Sequence, residues 1–189
     1  VALCASPVTA QFNQWAFGRT PDETARRISA IPSGGTISCG EVVTTRQDAA
    51  ANILWMLQID FFYPHVAIPT SDGGFAVAGA YFLDNEMMTL LVKLTPAGTP
   101  QWHHLYPGTH VYEYCDLIQS ADGGFVIALE YDPPESSFRV PFLIKTKADG
   151  TPEWMNRYVP NGYTSPGGEF SFVQEDVGPT GESIFNLAG

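Results

Sequence analysis

The apolar residues of this chain fall in short continuous runs that are bounded by glycine, proline and aspartate. The clearest runs are Phe75–Gly79, Leu90–Leu94, Phe125–Leu129 and Phe142–Thr146. Runs of this length between turn residues are typical of strands that are buried on both faces. No run approaches the roughly 18 apolar residues of a membrane span, so we expect no span. The pattern predicts an all-β domain built from short strands.

The runs belong to a unit of about 50 residues that is present twice in clear form. The turn Asp72-Gly73-Gly74-Phe75 recurs as Asp122-Gly123-Gly124-Phe125. The later residues that recur are Tyr81, Lys93, Gly98-Thr99-Pro100 and Trp102, matched by Tyr131, Lys145, Gly150-Thr151-Pro152 and Trp154. Because so many matches occur in one order, we interpret the unit as a structural repeat.

Fainter copies flank the two clear ones. Ile31–Glu41 repeats the Gly-Gly element, although Ser33 stands where the clear copies have aspartate. Ile53–Asp60 resembles the apolar third strand, and the glycine turn and tryptophan expected after Ile59 are missing. This copy is therefore expected to be shortened or irregular. Val177–Gly189 resembles the turn and second strand of a further copy.

Each copy is predicted to form four antiparallel strands joined by tight turns. Tyr114–Gln119 is the first strand of the second clear copy, and Asp122-Gly123 supplies the positive backbone dihedrals of a hairpin turn. The apolar runs are the second and third strands, and a short fourth strand ends at the tryptophan. One such sheet cannot bury both faces alone, so neighbouring sheets must stack on it.

Radial stacking of these sheets would form a β-propeller, which we favour, and linear stacking would form a β-solenoid. The chain is taken as one domain, 1–189, with copies at 31–67, 68–117 and 118–172 and partial copies at 1–30 and 173–189. The two partial copies would complete one blade and close a ring of about four blades. Alternatively, the chain is a fragment of a larger propeller.

The repeat resembles a motif found in many secreted bacterial and archaeal proteins with β-propeller-like repeats. The shared pattern is Asp-Gly-Gly-aromatic-Val-x-Ala-Gly, then Leu-Val-Lys-Leu, then Gly-x-x-x-Trp, and it covers most of the chain. The resemblance implies propeller blades and a secreted or cell-surface location. It implies no particular activity, because such repeats serve adhesion, surface-layer and substrate-binding roles.

The net charge argues against one class of binding partner. The chain carries 9 basic and 20 acidic residues, a net charge of −11, and such a surface repels the phosphates of nucleic acids.

The first ten residues, VALCASPVTA, resemble either the tail of an export signal or an ordinary strand. Cys4, Cys39 and Cys115 fit no disulfide framework or zinc site, which leaves open one bridge with a free thiol or three buried thiols.

Acidic loop residues are the main candidates for ligand binding. Asp84 and Glu86 lie between the second and third strands of one copy, and Asp132 and Glu135 lie at the equivalent place of the next. We expect them on one rim, where they would bind a ligand, bind calcium or perform acid–base chemistry on a sugar. The calcium signal is weak because no Asp-x-Asp-x-Asp-Gly spacing occurs, and we expect no other cofactor. Tyr163, in a long loop, is a further candidate for stacking on a partner.

The histidines are weaker candidates. His103 and His104 point to opposite faces of a strand and cannot share a metal ion. His104, His110 and Asp116 would converge in the loop before the next copy, but we expect solvated loop residues there rather than metal ligands.

The recurrent aspartate and tryptophan are assigned structural roles. Asp72 and Asp122 are expected to cap the hairpin turn, and Trp102 and Trp154 to close the gap between neighbouring blades.

The sequence favours a non-enzymatic binding or structural module with a protein or carbohydrate ligand. The chain has no G-x-S-x-G, Walker, H-E-x-x-H or G-x-G-x-x-G motif. A propeller-type carbohydrate hydrolase or lyase is the first alternative. A subunit that self-assembles through its terminal strands, as a homo-oligomer or larger assembly, is the second.

Overall fold

The computed structural model describes residues 26–84, 86–109, 115–131, 140–158, 172–177 and 183–188, and the regular elements in these ranges are all β-strands. The first sheet contains β1 (Arg27–Ala30), β2 (Thr36–Cys39), β3 (Thr44–Gln47) and β4 (Ile53–Leu57). The second contains β5 (Phe62–Pro69), β6 (Phe75–Leu83), β7 (Glu86–Leu94) and β8 (Pro100–Tyr106). The third contains β9 (Cys115–Gln119), β10 (Phe125–Tyr131), β11 (Val140–Thr146) and β12 (Pro152–Arg157). β13 (Phe172–Val177) and β14 (Ser183–Ala188) pair as a two-stranded sheet.

The strands of each sheet follow one another in chain order, and all paired neighbours are antiparallel. The predicted all-β class and the unit of four antiparallel strands are confirmed. Some strands are longer than the apolar runs: β6 continues past Gly79 to Leu83, and β7 begins at Glu86. The ladder reaches the tip of this hairpin because the turn between the two strands is tight. No described segment is a helix with the length and apolarity needed to cross a bilayer.

The middle strands are buried on both faces, as the apolar runs predict. In β6, Phe75 and Val77 belong to the apolar cluster shared with the first sheet, whereas Ala76 and Ala78 belong to the cluster shared with the third. All four side chains are at most 3% exposed. Because burial of one larger apolar side chain contributes about 1.5–3 kcal/mol, each sheet depends on its neighbours for stability.

The first strands of successive sheets lie next to one another. β1 and β2 contact β5, β5 contacts β9, and β9 contacts β13. Ser29 Oγ on β1 donates a hydrogen bond of 2.7 Å to the carbonyl of Ala67 on β5. Arg27 on β1 forms a salt bridge with Asp116 on β9, with 2.6 Å between Nη1 and Oδ1. The sheets therefore stack in chain order with their first strands gathered on one side.

The first sheet corrects the alignment of the faint first copy. The prediction that Ile53–Asp60 forms an apolar third strand is wrong: β4 is a fourth strand, and its Trp55 pairs with Arg46 as Trp102 pairs with Lys93. The tight turn before β4 is also present, with Ala51 at φ 63° where the clear copies have glycine. The pattern concealed this match because arginine replaces lysine and alanine replaces glycine. The expected shortening is confirmed, since the strands of this sheet have four or five residues.

Each of the first three sheets places a tryptophan from its fourth strand against the next sheet. The ring centroids are 5.5 Å apart for Trp55 and Phe75, 5.9 Å for Trp102 and Phe125, and 6.0 Å for Trp154 and Phe185. The rings meet edge to face or tilted, which is the geometry that aromatic pairs prefer. The predicted role of Trp102 and Trp154 between neighbouring sheets is confirmed, and Trp55 has the same role.

The glycine in the turn before the fourth strand lies directly beneath the tryptophan of the preceding sheet. A Cβ atom on Gly98 would lie 2.5 Å from the Trp55 ring, and one on Gly150 would lie 2.6 Å from Trp102. Both glycines also have a positive φ, 81° and 84°. Glycine is therefore favoured at these turns by the backbone conformation and required by the lack of space beneath the ring. Ala51, the equivalent residue of the first sheet, is exposed.

Gly98→Ala is expected to destabilise the protein by about 3 kcal/mol, since left-handed backbone costs an L-residue roughly 1–2 kcal/mol and overpacking adds about 1–3 kcal/mol. Gly73→Ala is the matched control, because Gly73 has a φ of 81° and no heavy atom within 4 Å of an added Cβ. Urea unfolding should show a smaller loss for the control. Equal losses would contradict a limiting contact with Trp55.

Candidate functional site

The recurrent lysine and aspartate form an ion pair inside the second and third sheets. Lys93 Nζ lies 2.8 Å from Asp72 Oδ2, and Lys145 Nζ lies 2.7 Å from Asp122 Oδ2. Each lysine side chain is only 6% exposed. Each ammonium group also donates to the backbone carbonyl of the next residue in its own strand and to a side-chain oxygen on the fourth strand. The pair thus ties the third and fourth strands to the turn between the first and second, so its role is structural.

The same aspartates cap the hairpin turn, as predicted. Asp72 Oδ1 accepts a hydrogen bond of 3.0 Å from the N–H of Gly74, and Asp122 Oδ1 accepts one of 2.8 Å from Gly124. The turn differs from the prediction in one respect: only the glycine of each Asp-Gly pair has a positive φ. A Cβ on Gly74 would clash with the backbone carbonyl oxygen of Leu94 and would lie 2.6 Å from Lys93 Nζ, which explains the second glycine of the motif.

The ion pairs hold both carboxyl groups in the charged form. The hydrogen bond from Lys93, followed by that from Thr70, lowers the pKa of Asp72 to about 2. Partial desolvation raises the pKa of Asp122, but hydrogen bonds from Lys145 and Gly124 outweigh it and the net shift is downward. A carboxylate held in this way is poorly matched to proton transfer near neutral pH.

Buried polar side chains also lie on the first strands where these gather. The Asp116 side chain, which contacts Arg27, is 7% exposed and lies in β9 rather than in the preceding loop, so its expected place in a solvated loop is corrected. His65 on β5 is 5% exposed. Burial, together with the charge of Arg26, lowers the pKa of His65 to about 4. This imidazole is therefore neutral at physiological pH.

Two of the three cysteines are buried free thiols, Cys39 and Cys115. Burial raises the pKa of Cys39 to about 12 and also raises the pKa of Cys115. Neither side chain forms an appreciable amount of thiolate at neutral pH, so neither is an activated nucleophile. Cys4 lies outside the described residues.

Of the predicted ligand-binding residues, the structure describes two. Asp84 and Glu86 flank the tip of the β6–β7 hairpin, both are exposed, and Asp84 has a φ of 51°. Asp132, Glu135 and Tyr163 lie outside the described residues, so the shared rim stays a prediction. Within the described ranges, no three His, Cys, Asp or Glu side chains group closely enough to hold a metal ion.

His103 and His104 point to opposite faces of β8, as predicted. His103 lines a cavity that faces the first sheet. His104 packs against Trp102, with 5.6 Å between ring centroids, and lies beside Gly150 of the third sheet. His110 lies outside the described residues, so its part in the predicted loop cluster is not visible.

The cavity beside His103 is the candidate site that the sequence did not predict. It has a volume of about 290 Å³ and lies between the first and second sheets. Its lining consists of Ile59, Tyr81, Leu90, Val92, Pro100, His103 and Leu105. Two of these side chains are polar, and the others are apolar. A cavity of this size and composition suits a small, mainly apolar ligand that carries one or two polar groups.

No protein-family model matches the chain, and no curated protein matches it. Among solved structures, the chain is similar to a protein of unknown function from Bacteroides caccae, with a TM-score of 0.59 and 10% sequence identity. The match covers 88% of this chain and 54% of that protein, so the chain spans about half of its length. At this identity the likeness shows the fold alone.

Asp72→Asn is expected to lower stability at pH 7 by about 1 kcal/mol, a discounted value because solvent screens an exposed ion pair; the Asp72 side chain is 54% exposed. The folded pKa of about 2 lies below the ordinary value of 3.8. The contribution of the carboxylate is therefore complete above the ordinary pKa and is lost as the pH falls through the folded pKa.

Urea unfolding of wild type and Asp72→Asn at several pH values tests this expectation. The gap in unfolding free energy should close at acid pH. Asp84→Asn, which removes the same charge from an exposed turn, is the control and should show a much smaller gap. A gap for Asp72→Asn that does not change with pH would contradict the assignment.

Proposed function

We propose that the stacked sheets are blades of a β-propeller-like domain. In a linear stack, sheets lie about 10 Å apart, so the first and third would be separated by about 20 Å. The 2.6 Å contact between Arg27 and Asp116 joins these two sheets directly. If the sheets radiate from their first strands, the first and third sheets can contact each other at those strands. The contact therefore favours radial stacking over a solenoid.

We further propose that the domain is a binding module rather than an enzyme. The cavity between the first two sheets carries this proposal, because it is concave, mainly apolar and lined by rigid strands. The recurrent charged residues, by contrast, are engaged in structural ion pairs. Of the predicted ligand classes, a carbohydrate fits this cavity poorly, since its many hydroxyl groups would lose water without gaining partners. A ligand or side chain with an apolar body fits better.

The proposed place of action is outside the cell or at its surface. The support is the resemblance of the Asp-Gly-Gly repeat to repeats of secreted proteins. In such a setting Asp84 and Glu86, at the exposed tip of a hairpin, are accessible to a partner.

Leu105→Trp is expected to fill the cavity and to abolish ligand binding there. The experiment is a screen of small apolar and polar compounds against the full chain by ligand-observed NMR, repeated with the variant. Compounds that bind the wild type in the cavity should bind Leu105→Trp at least tenfold more weakly. Leu54→Trp is the matched control, because Leu54 is 56% exposed on the first sheet and the same ring there leaves the cavity open.

Two outcomes would overturn the proposed function. Binding that is unaffected by Leu105→Trp would place the ligand elsewhere. Turnover of a carbohydrate that is lost in Asp84→Asn or Glu86→Gln would show a hydrolase or lyase instead.

A further inference from the structure

The cavity has a counterpart between the second and third sheets. Trp55 and Trp102 occupy equivalent positions, because each pairs with the basic residue of the third strand. Ile59 follows Trp55 by four residues, as Tyr106 follows Trp102, so Ile59 and Tyr106 are equivalent. At this position, which reaches towards the following sheet, the two inter-sheet spaces differ, with isoleucine in one and tyrosine in the other.

In the counterpart, a phenol ring occupies the space. Tyr106 is 2% exposed, and its hydroxyl donates a hydrogen bond of 2.8 Å to the carbonyl of Gly150 in the third sheet. The strand registers match Tyr81, Leu90, Val92 and His103 of the cavity with Tyr131, Phe142, Ile144 and Met155. These four matched residues belong to the same packed cluster as Tyr106. Tyr81 and Tyr131 are identical, whereas the other three pairs differ and Met155 replaces the polar His103. The molecule thus shows a phenol ring packed in the equivalent space against a mainly apolar lining.

We propose that the cavity between the first and second sheets binds a small neutral phenol. An apolar cavity of about 150 Å³ is large enough for benzene, so the 290 Å³ here hold a substituted ring. Tyr81 and His103 are the lining side chains that can form a hydrogen bond with one hydroxyl group. The apolar remainder of the lining disfavours a charged ligand. This inference rests on the proposed binding function and names its ligand class.

The probe is p-cresol, which is the side chain of tyrosine as a free molecule. It should bind the wild-type chain with a dissociation constant on the order of 1 mM, as expected for a ligand of this size. Ile59→Tyr, which restores the residue of the counterpart, should weaken p-cresol binding at least tenfold and raise the melting temperature. Ile59→Leu is the control and should bind as the wild type does. If Ile59→Tyr does not fold, the same loss is required of Leu105→Trp.

A second compound tests the need for a flat ring. 4-Methylcyclohexanol has the hydroxyl and methyl groups of p-cresol on a saturated ring, and it should bind at least tenfold more weakly. Equal binding of the two compounds, or p-cresol binding that survives Ile59→Tyr, would overturn the inference. If other compounds bind in the cavity and p-cresol does not, the ligand class is wrong and the proposed function stands. If no compound binds there, both are wrong.

Discussion

The contact of each tryptophan with the following sheet is the interaction on which the arrangement of the sheets depends. A small four-stranded sheet has an apolar face on each side, and both faces are stable only when they are covered. The first strands already meet on one side of the stack. Trp55, Trp102 and Trp154 make the matching contact from the fourth strand, three strands away, so neighbouring sheets are held at both of their edges.

Inside a sheet, a buried basic residue has a comparable role. A buried ammonium group is costly unless it is paired and fully hydrogen-bonded, and Lys93 and Lys145 meet this demand through the turn aspartate. In the first sheet, the buried charge of Arg46 is hydrogen-bonded in a different way. Its Nη2 donates to the carbonyl of Gly34 at 3.1 Å, and its guanidinium lies 5.9 Å from the centre of the Phe75 ring. The longer arginine reaches backbone acceptors directly, which explains why Ser33 can replace aspartate.

The sequence was informative where one residue type alone meets a local demand. Gly98 must accept a tryptophan above it, and Asp72 must cap a turn and neutralise a lysine, so both recur visibly. It was misleading at Arg46 and Ala51, where other residue types satisfy the same backbone and charge requirements. The cavity was beyond sequence reasoning because its lining combines three strands of the second sheet with Ile59, which lies in the segment between β4 and β5. No local pattern marks residues that become neighbours only after the sheets stack.

An indole ring of one sheet packs on a glycine turn of the following sheet. The two faces of a sheet therefore differ, and the stack has a direction. The first clear copy carries both parts: Gly98, which receives the Trp55 ring, and Trp102, which covers Gly150 of the next copy. Gene duplication can therefore insert or remove a whole copy while every junction keeps its matching parts. Between the junctions, positions such as Ile59 and Tyr106 remain free to diverge. Each new junction in an expanding array thus becomes an independent place for a new specificity to evolve.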